Sequence, residues 1–178
     1  MSSAHEQRAA QIACWSGGDY RSTAAVLQPA AEVVLDLVGP VAGLCVLDVA
    51  AGTGNVAVAA ARRGASVTAT DLSPRMVELG RARTADAGLA VEWMQADACD
   101  LPSDDASFDV VISTFGLMFA TPRLAAVEAA RVLREEQVAA MSDAFVAVHR
   151  PHVDAEGRVR TTMRYVVITA RRNGRTAR

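Results

Sequence analysis

One short segment constrains this chain more than any other: an apolar run breaks into a glycine turn and restarts as a helix. Residues 46–57 read Val-Leu-Asp-Val-Ala-Ala-Gly-Thr-Gly-Asn-Val-Ala. Residues 44–49 have the length and apolarity of a buried strand. Gly52 and Gly54 make the turn, and an alanine-rich helix starts at Asn55 and stops at Gly64. The same alternation continues down the chain. Residues 67–70 form a second strand ended by Asp71, and Ser73-Pro74 opens a helix that Gly88 stops. Residues 91–94 and 108–114 give a third and a fourth strand. Thr121-Pro122 opens another helix, with Leu124, Val127, Ala130, Val132 and Leu133 as its apolar set. Upstream, Leu27, Ala30, Ala31, Val34, Leu35 and Val38 recur at helical spacing before Gly39-Pro40. Strands alternating with helices in this way imply βαβ units, right-handed crossovers and a sheet covered on both faces.

The remaining residues complete the expected architecture. Residues 1–20 show little periodicity, residues 135–149 read as a helix and residues 154–157 as a turn. Residues 159–170 are rich in β-branched side chains and read as a last, antiparallel strand. The expected fold class is α/β: a three-layer, doubly wound sheet of about five strands, mainly parallel with a final antiparallel strand. One domain is expected over residues 1–178. It comprises a lead-in (1–20), a core (21–134), a terminal helix and strand (135–171) and a tail (172–178).

Composition narrows the function. At 51% hydrophobic over 178 residues, the chain can bury a substantial core. The longest apolar run, residues 56–61, is far shorter than a bilayer span, so no membrane helix is expected. A net charge of −2 argues against nucleic acid as a partner. The first residues lack the apolar stretch of a signal peptide. Cys14, Cys45 and Cys99 have no metal-ligand or redox spacing. Together these features lead to an expectation of a cytoplasmic protein with no metal. All 18 basic residues are arginine, and the seven after Glu156 face no acid. A solvated, frayed end accounts for that cluster.

A strand, glycine turn and helix bring backbone N–H groups and a helix N-terminus close to a ligand. Two cofactor classes use such a turn. Gly52-x-Gly54-x-x-Ala57, with Asp71 about 20 residues on, satisfies the dinucleotide pattern. Asp48 favours the other class, because an acid before the turn repels a pyrophosphate and suits a cationic ligand. Asp48 could instead cap the turn. Asp71 could accept two ribose hydroxyls or cap the following helix. Asp97 could accept an adenine amino group beside the Ala98 N–H, or be an ordinary loop acid.

Taken together, these segments resemble the class I, Rossmann-like methyltransferases that use S-adenosyl-L-methionine (SAM). Residues 47–54 resemble their first motif, with Ala50 where many members have glycine. Thr70-Asp-Leu-Ser-Pro-Arg-Met76 resembles the second, Gln95-Ala-Asp-Ala98 the adenine segment, and residues 107–115 the fourth strand. Trp15 with Gly18-Asp-Tyr20 resembles a lead-in that closes over the cofactor in some bacterial members. The resemblance implies that Asp48 and the backbone of Ala50, Gly52 and Gly54 line the methionine part, and that Asp71 holds the ribose. It further implies that Leu72 and Met76 pack on the adenine, that Asp97 and Ala98 read its edge, and that Tyr20, Thr114 and Phe115 lie near the cofactor. The acceptor would be a small molecule and the protein a monomer or homodimer. No residue stands out as a general base.

The pattern breaks after Arg131-Val-Leu-Arg134. Glu135-Glu-Gln137 replaces the family's Pro-Gly-Gly, and no fifth strand follows. The strand at 159–170 is therefore expected to fold back onto the exposed edge of the fourth strand, or that edge to pair with another chain. The acceptor side is abbreviated, so impaired turnover is expected. An NAD-linked oxidoreductase and a non-catalytic SAM-binding module are the alternatives.

Overall fold

A computed structural model describes residues 4–18, 20–134, 149–153 and 159–163. Four strands, β1 (Cys45–Val49), β2 (Ser66–Asp71), β3 (Val91–Gln95) and β4 (Val110–Ile112), form one parallel sheet in the order β3-β2-β1-β4. Helices α1 (Ala4–Ser16) and α2 (Tyr20–Val38) precede the sheet. Helices α3 (Asn55–Arg62), α4 (Pro74–Asp86) and α5 (Pro122–Val132) alternate with its strands. Chain order reverses at β1, whose neighbours are β2 on one side and β4 on the other.

The central strand shows why the run at residues 44–49 is apolar without alternation. Val46, Leu47, Asp48 and Val49 are all buried, because helices cover both faces. Val46 packs with Leu35, Val56, Val67, Trp93 and Ile112 in one core. Leu47 and Val49 pack with Phe108, Val111, Val132 and Leu133 in the other. The period of two along β1 thus assigns odd and even residues to opposite layers. Asp48 shares the Val46 side, toward α3.

Two arginines fasten the β4 side. Asp109, 5% exposed, accepts from the Cys45 N–H at 2.9 Å and pairs with Arg134. Arg131 donates to the carbonyls of Leu101 and Ser103 and to Glu128 and Asp105, stapling the loop before β4 to α5. The Arg131-Val-Leu-Arg134 motif therefore serves as an anchor.

The carboxyl-terminal expectation requires correction. The main sheet has no final antiparallel strand among the described residues and comprises four strands, all parallel. Residues 159–163 are a strand, β6 (Val159–Met163), but it pairs antiparallel with β5 (His149–Val153) in a separate two-stranded sheet. Nor does His149 end a helix; it begins β5. A hairpin partner adjacent in sequence closes a short loop, whereas reaching β4 requires a long crossing. The rest of the expected helix (135–148), the turn at 154–157 and the rest of the expected strand lie outside the described residues. Beyond β4, Leu133 forms a single parallel bridge with Phe108. No helix of the described residues is long and apolar enough to cross a membrane.

Candidate functional site

The carboxyl ends of all four parallel strands open into one cavity of about 360 Å³, within the range of small-molecule sites. It lies at the reversal of strand order, where open α/β sheets place their ligands. Each strand contributes the loop that follows it: Ala50, Gly52 and Asn55 after β1, Asp71 and Leu72 after β2, Asp97 and Ala98 after β3, Thr114 and Phe115 after β4. Met76 from α4 and Tyr20 from α2 also line it. Of the twelve residues expected at a cofactor site, ten thus line this one cavity. Asp48 and Gly54 do not line it.

The turn after β1 is held in a specific shape. Ala50, Gly52 and Gly54 have φ of 55°, 58° and 85°, all left-handed. The Ala51 N–H donates to the Thr70 carbonyl and the Gly52 N–H to Asp71 Oδ2, at 2.9 and 2.8 Å. The turn is therefore pinned to the end of β2. The two glycines serve different ends. A Cβ on Gly54 would lie 2.8 Å from Trp93 Cζ2, so this glycine permits close packing. A Cβ on Gly52 would meet nothing within 4 Å, so this glycine borders open space.

Asp71 faces that space. Its Oδ1 accepts from the Ser73 N–H at 2.9 Å and its Oδ2 from Gly52. Burial raises its pKa, while the two backbone donors pull it back down. Each oxygen keeps a second lone pair for a ligand hydroxyl. Ser73 Oγ in turn caps α4 by accepting from the Met76 N–H. The cap of α4 is therefore Ser73, and Asp71 holds that cap in place by accepting from its N–H.

Asp48 stands behind the wall. Its carboxyl is 1% exposed and accepts from the Ala57 N–H at 3.0 Å. Ala57 is in the first turn of α3, whose N-cap is Gly54, a residue with no side chain to cap it. The strand supplies the missing cap. Oδ1 has no hydrogen-bond partner. Burial pushes this carboxyl up to about 8, against the Ala57 bond and reinforced by Asp71.

Asp97 accepts from the Cys99 N–H at 2.8 Å and pairs with Arg8 of α1. That helix was not legible in the sequence, and it roofs the cavity. Gln11 donates to the Phe119 carbonyl at 2.8 Å, and the Trp15 ring meets Phe119 edge-on at 4.8 Å. Gln11, Met118 and Phe119 line the cavity without a sequence signal, and Trp15, which resembles part of a lead-in over the cofactor, lines it as well. The only sequence signal for this roof is Trp15 close to Tyr20, whose rings lie 5.7 Å apart.

The family model described as a methyltransferase domain matches residues 46–136. The uncharacterized protein Rv1405c of Mycobacterium tuberculosis is 43% identical over 124 residues, covering 68% of this chain and 45% of that protein. A demethylmenaquinone methyltransferase of Clavibacter sepedonicus is 50% identical over 98 residues, covering 54% and 40%. The chain thus spans under half the length of these relatives. Among solved structures, YcgJ of Bacillus subtilis superimposes with a TM-score of 0.58 at 28% identity, over 60% of this chain and 47% of that one. The phosphoethanolamine N-methyltransferase 1 of Haemonchus contortus, in complex with phosphoethanolamine and S-adenosylhomocysteine, shares the fold at a TM-score of 0.64 and 22% identity, over 76% of this chain and 32% of that one. From its β1 turn to its Arg-Val-Leu-Arg anchor, the chain belongs to the class I methyltransferases, a family whose cofactor is SAM.

Proposed function

We propose that this cavity binds SAM and presents its methyl group to a small-molecule acceptor. The observation that carries the proposal is Asp71: a half-buried carboxylate on the cavity wall, fixed by the Gly52 and Ser73 N–H groups. Its spare lone pairs suit the two ribose hydroxyls. Asp97 and Ala98 suit an adenine edge, Leu72 and Met76 its faces, and the Ala50–Gly52 backbone the methionine part. The same geometry speaks against a dinucleotide. A pyrophosphate needs the N–H groups of the turn, but the Gly52 N–H is already given to Asp71, whose charge would oppose it.

Bound SAM supplies a methyl group on a sulfonium, already a good leaving group. The chain's part is alignment and the exclusion of water. Among the described residues, Asp71 and Asp97 are the carboxylates that line the cavity, and both are engaged by neighbours. An acceptor whose accepting atom arrives unprotonated fits a wall of this kind. The rim of Trp15, Met118 and Phe119 suits an apolar acceptor, as the name of the Clavibacter relative also suggests.

Calorimetry with S-adenosylhomocysteine and NADH on one sample tests this reading. S-adenosylhomocysteine should bind, and Asp71→Ala should weaken it by about 1.5–3 kcal/mol, the range for hydrogen bonds to a charged group. NADH binding that S-adenosylhomocysteine fails to displace would refute it.

A further inference from the structure

Behind the glycine turn, outside the cavity, a half-buried arginine joins three helices. Arg83 of α4 donates through one guanidinium nitrogen to Asn55 Oδ1 at 2.7 Å and to the Thr53 carbonyl at 3.2 Å. Its other terminal nitrogen donates to Gln28 Oε1 of α2 at 2.9 Å. Asn55 completes the ring by donating to the Ala24 carbonyl, also on α2, at 2.8 Å. Thr53, Asn55 and Ala24 all line the cavity, whereas Arg83 does not. Among the described residues no carboxylate lies within ion-pair distance of Arg83. A charged group that satisfies itself on neutral acceptors of the turn and of α2 holds them through its planar fork.

We propose that Arg83 is a positioning residue that fixes the gap between the glycine turn and α2, and with it the fit of the methionine end of the cofactor. The inference rests on the proposed SAM site. Thr53 lies in the turn whose Ala50–Gly52 backbone is assigned there to the methionine part, and Asn55 opens α3 directly after it, whereas Asp71, Asp97 and Ala98 hang on β2 and β3. Loss of the fork should therefore loosen one end of the ligand and spare the other. Lysine is the informative replacement. It keeps the charge and the helix propensity but has a single ammonium, which cannot bridge two fixed acceptor sets.

The experiment compares S-adenosylhomocysteine with adenosine by calorimetry on the wild type, Arg83→Lys and Gln28→Leu, with thermal melts alongside. Gln28→Leu removes only the α2 arm. Arg83→Lys should weaken S-adenosylhomocysteine roughly tenfold while changing adenosine less than about twofold, and Gln28→Leu should move both in the same sense by less. Equal losses for both ligands would make Arg83 a scaffold residue and overturn the proposal, as would an unchanged S-adenosylhomocysteine affinity in Arg83→Lys. A wild type that binds neither ligand would instead remove the SAM site itself.

Discussion

The buried carboxyl of Asp48 makes stability itself a titration. Its pKa is pushed from 3.8 in an open chain up to about 8 in the fold. Between those values the folded protein holds a proton that the unfolded chain has released. The unfolded state therefore binds fewer protons, and stability falls as pH rises through the window. The slope for one proton is about 1.4 kcal/mol per pH unit. Below the window both states are protonated and the penalty vanishes; above it both are ionised and the penalty is constant. Asp48→Asn keeps an oxygen for the Ala57 N–H and removes the titration. It also puts an amide where Oδ1 had no partner, a fixed offset of about 1–3 kcal/mol. The assay is urea unfolding of both proteins at steps between about pH 5 and about pH 7.5. The difference between the two curves should change by about 1.4 kcal/mol per unit, in favour of the variant at higher pH. Asp71, also raised, is present in both proteins and cancels. A flat difference would refute the argument, because it would mean that Asp48 is ionised inside the fold.

A Cβ on Gly80 would lie 2.1 Å from Trp93 Cη2, so Gly80→Ala should cost about 3 kcal/mol in denaturant unfolding, and Trp93→Phe should recover part of it. A Cβ on Gly116 would lie 2.2 Å from the Ala50 Cβ. Gly116→Ala should thus be rescued by Ala50→Gly, with a coupling of about 1–2 kcal/mol in a double-mutant cycle. Arg131→Ala strands two loop carbonyls and Glu128, and should lower unfolding stability by about 2 kcal/mol.

The legible parts of this fold were those whose signal is local. Gly52, Gly54 and Asp71 act through backbone angle and strand-end position, which a sequence shows directly. Asp48 was expected at the ligand because it precedes the turn. Yet the alternation along β1, itself a property of the sequence, places it on the Val46 face, toward α3. Helix α1 left no pattern, because Arg8, Gln11 and Trp15 hold it from outside through Asp97 and Phe119. The β-branched run at 159–163 correctly implied a strand, but nothing in it names a partner. That partner, β5, carries Pro151 opposite Thr161, a residue that reads against a strand and is tolerated only at an edge.

The roof formed by α1 has a consequence for timing. It spans the cavity between two rims, with Arg8 on Asp97, Gln11 and Trp15 on Phe119, and Ser16 on Ser73. A half-exposed ion pair, a few neutral hydrogen bonds and one aromatic contact add to about 2–3 kcal/mol. A clasp of that strength leaves the open form populated at roughly 1%. Were ligands to pass only where the clasp has let go, association would slow by about the same factor and departure would slow once the clasp re-formed. In stopped-flow mixing, Arg8→Ala and Trp15→Ala should therefore speed both entry and exit. Their effect on the rates should exceed their effect on the equilibrium, and a protein purified quickly should carry its ligand with it.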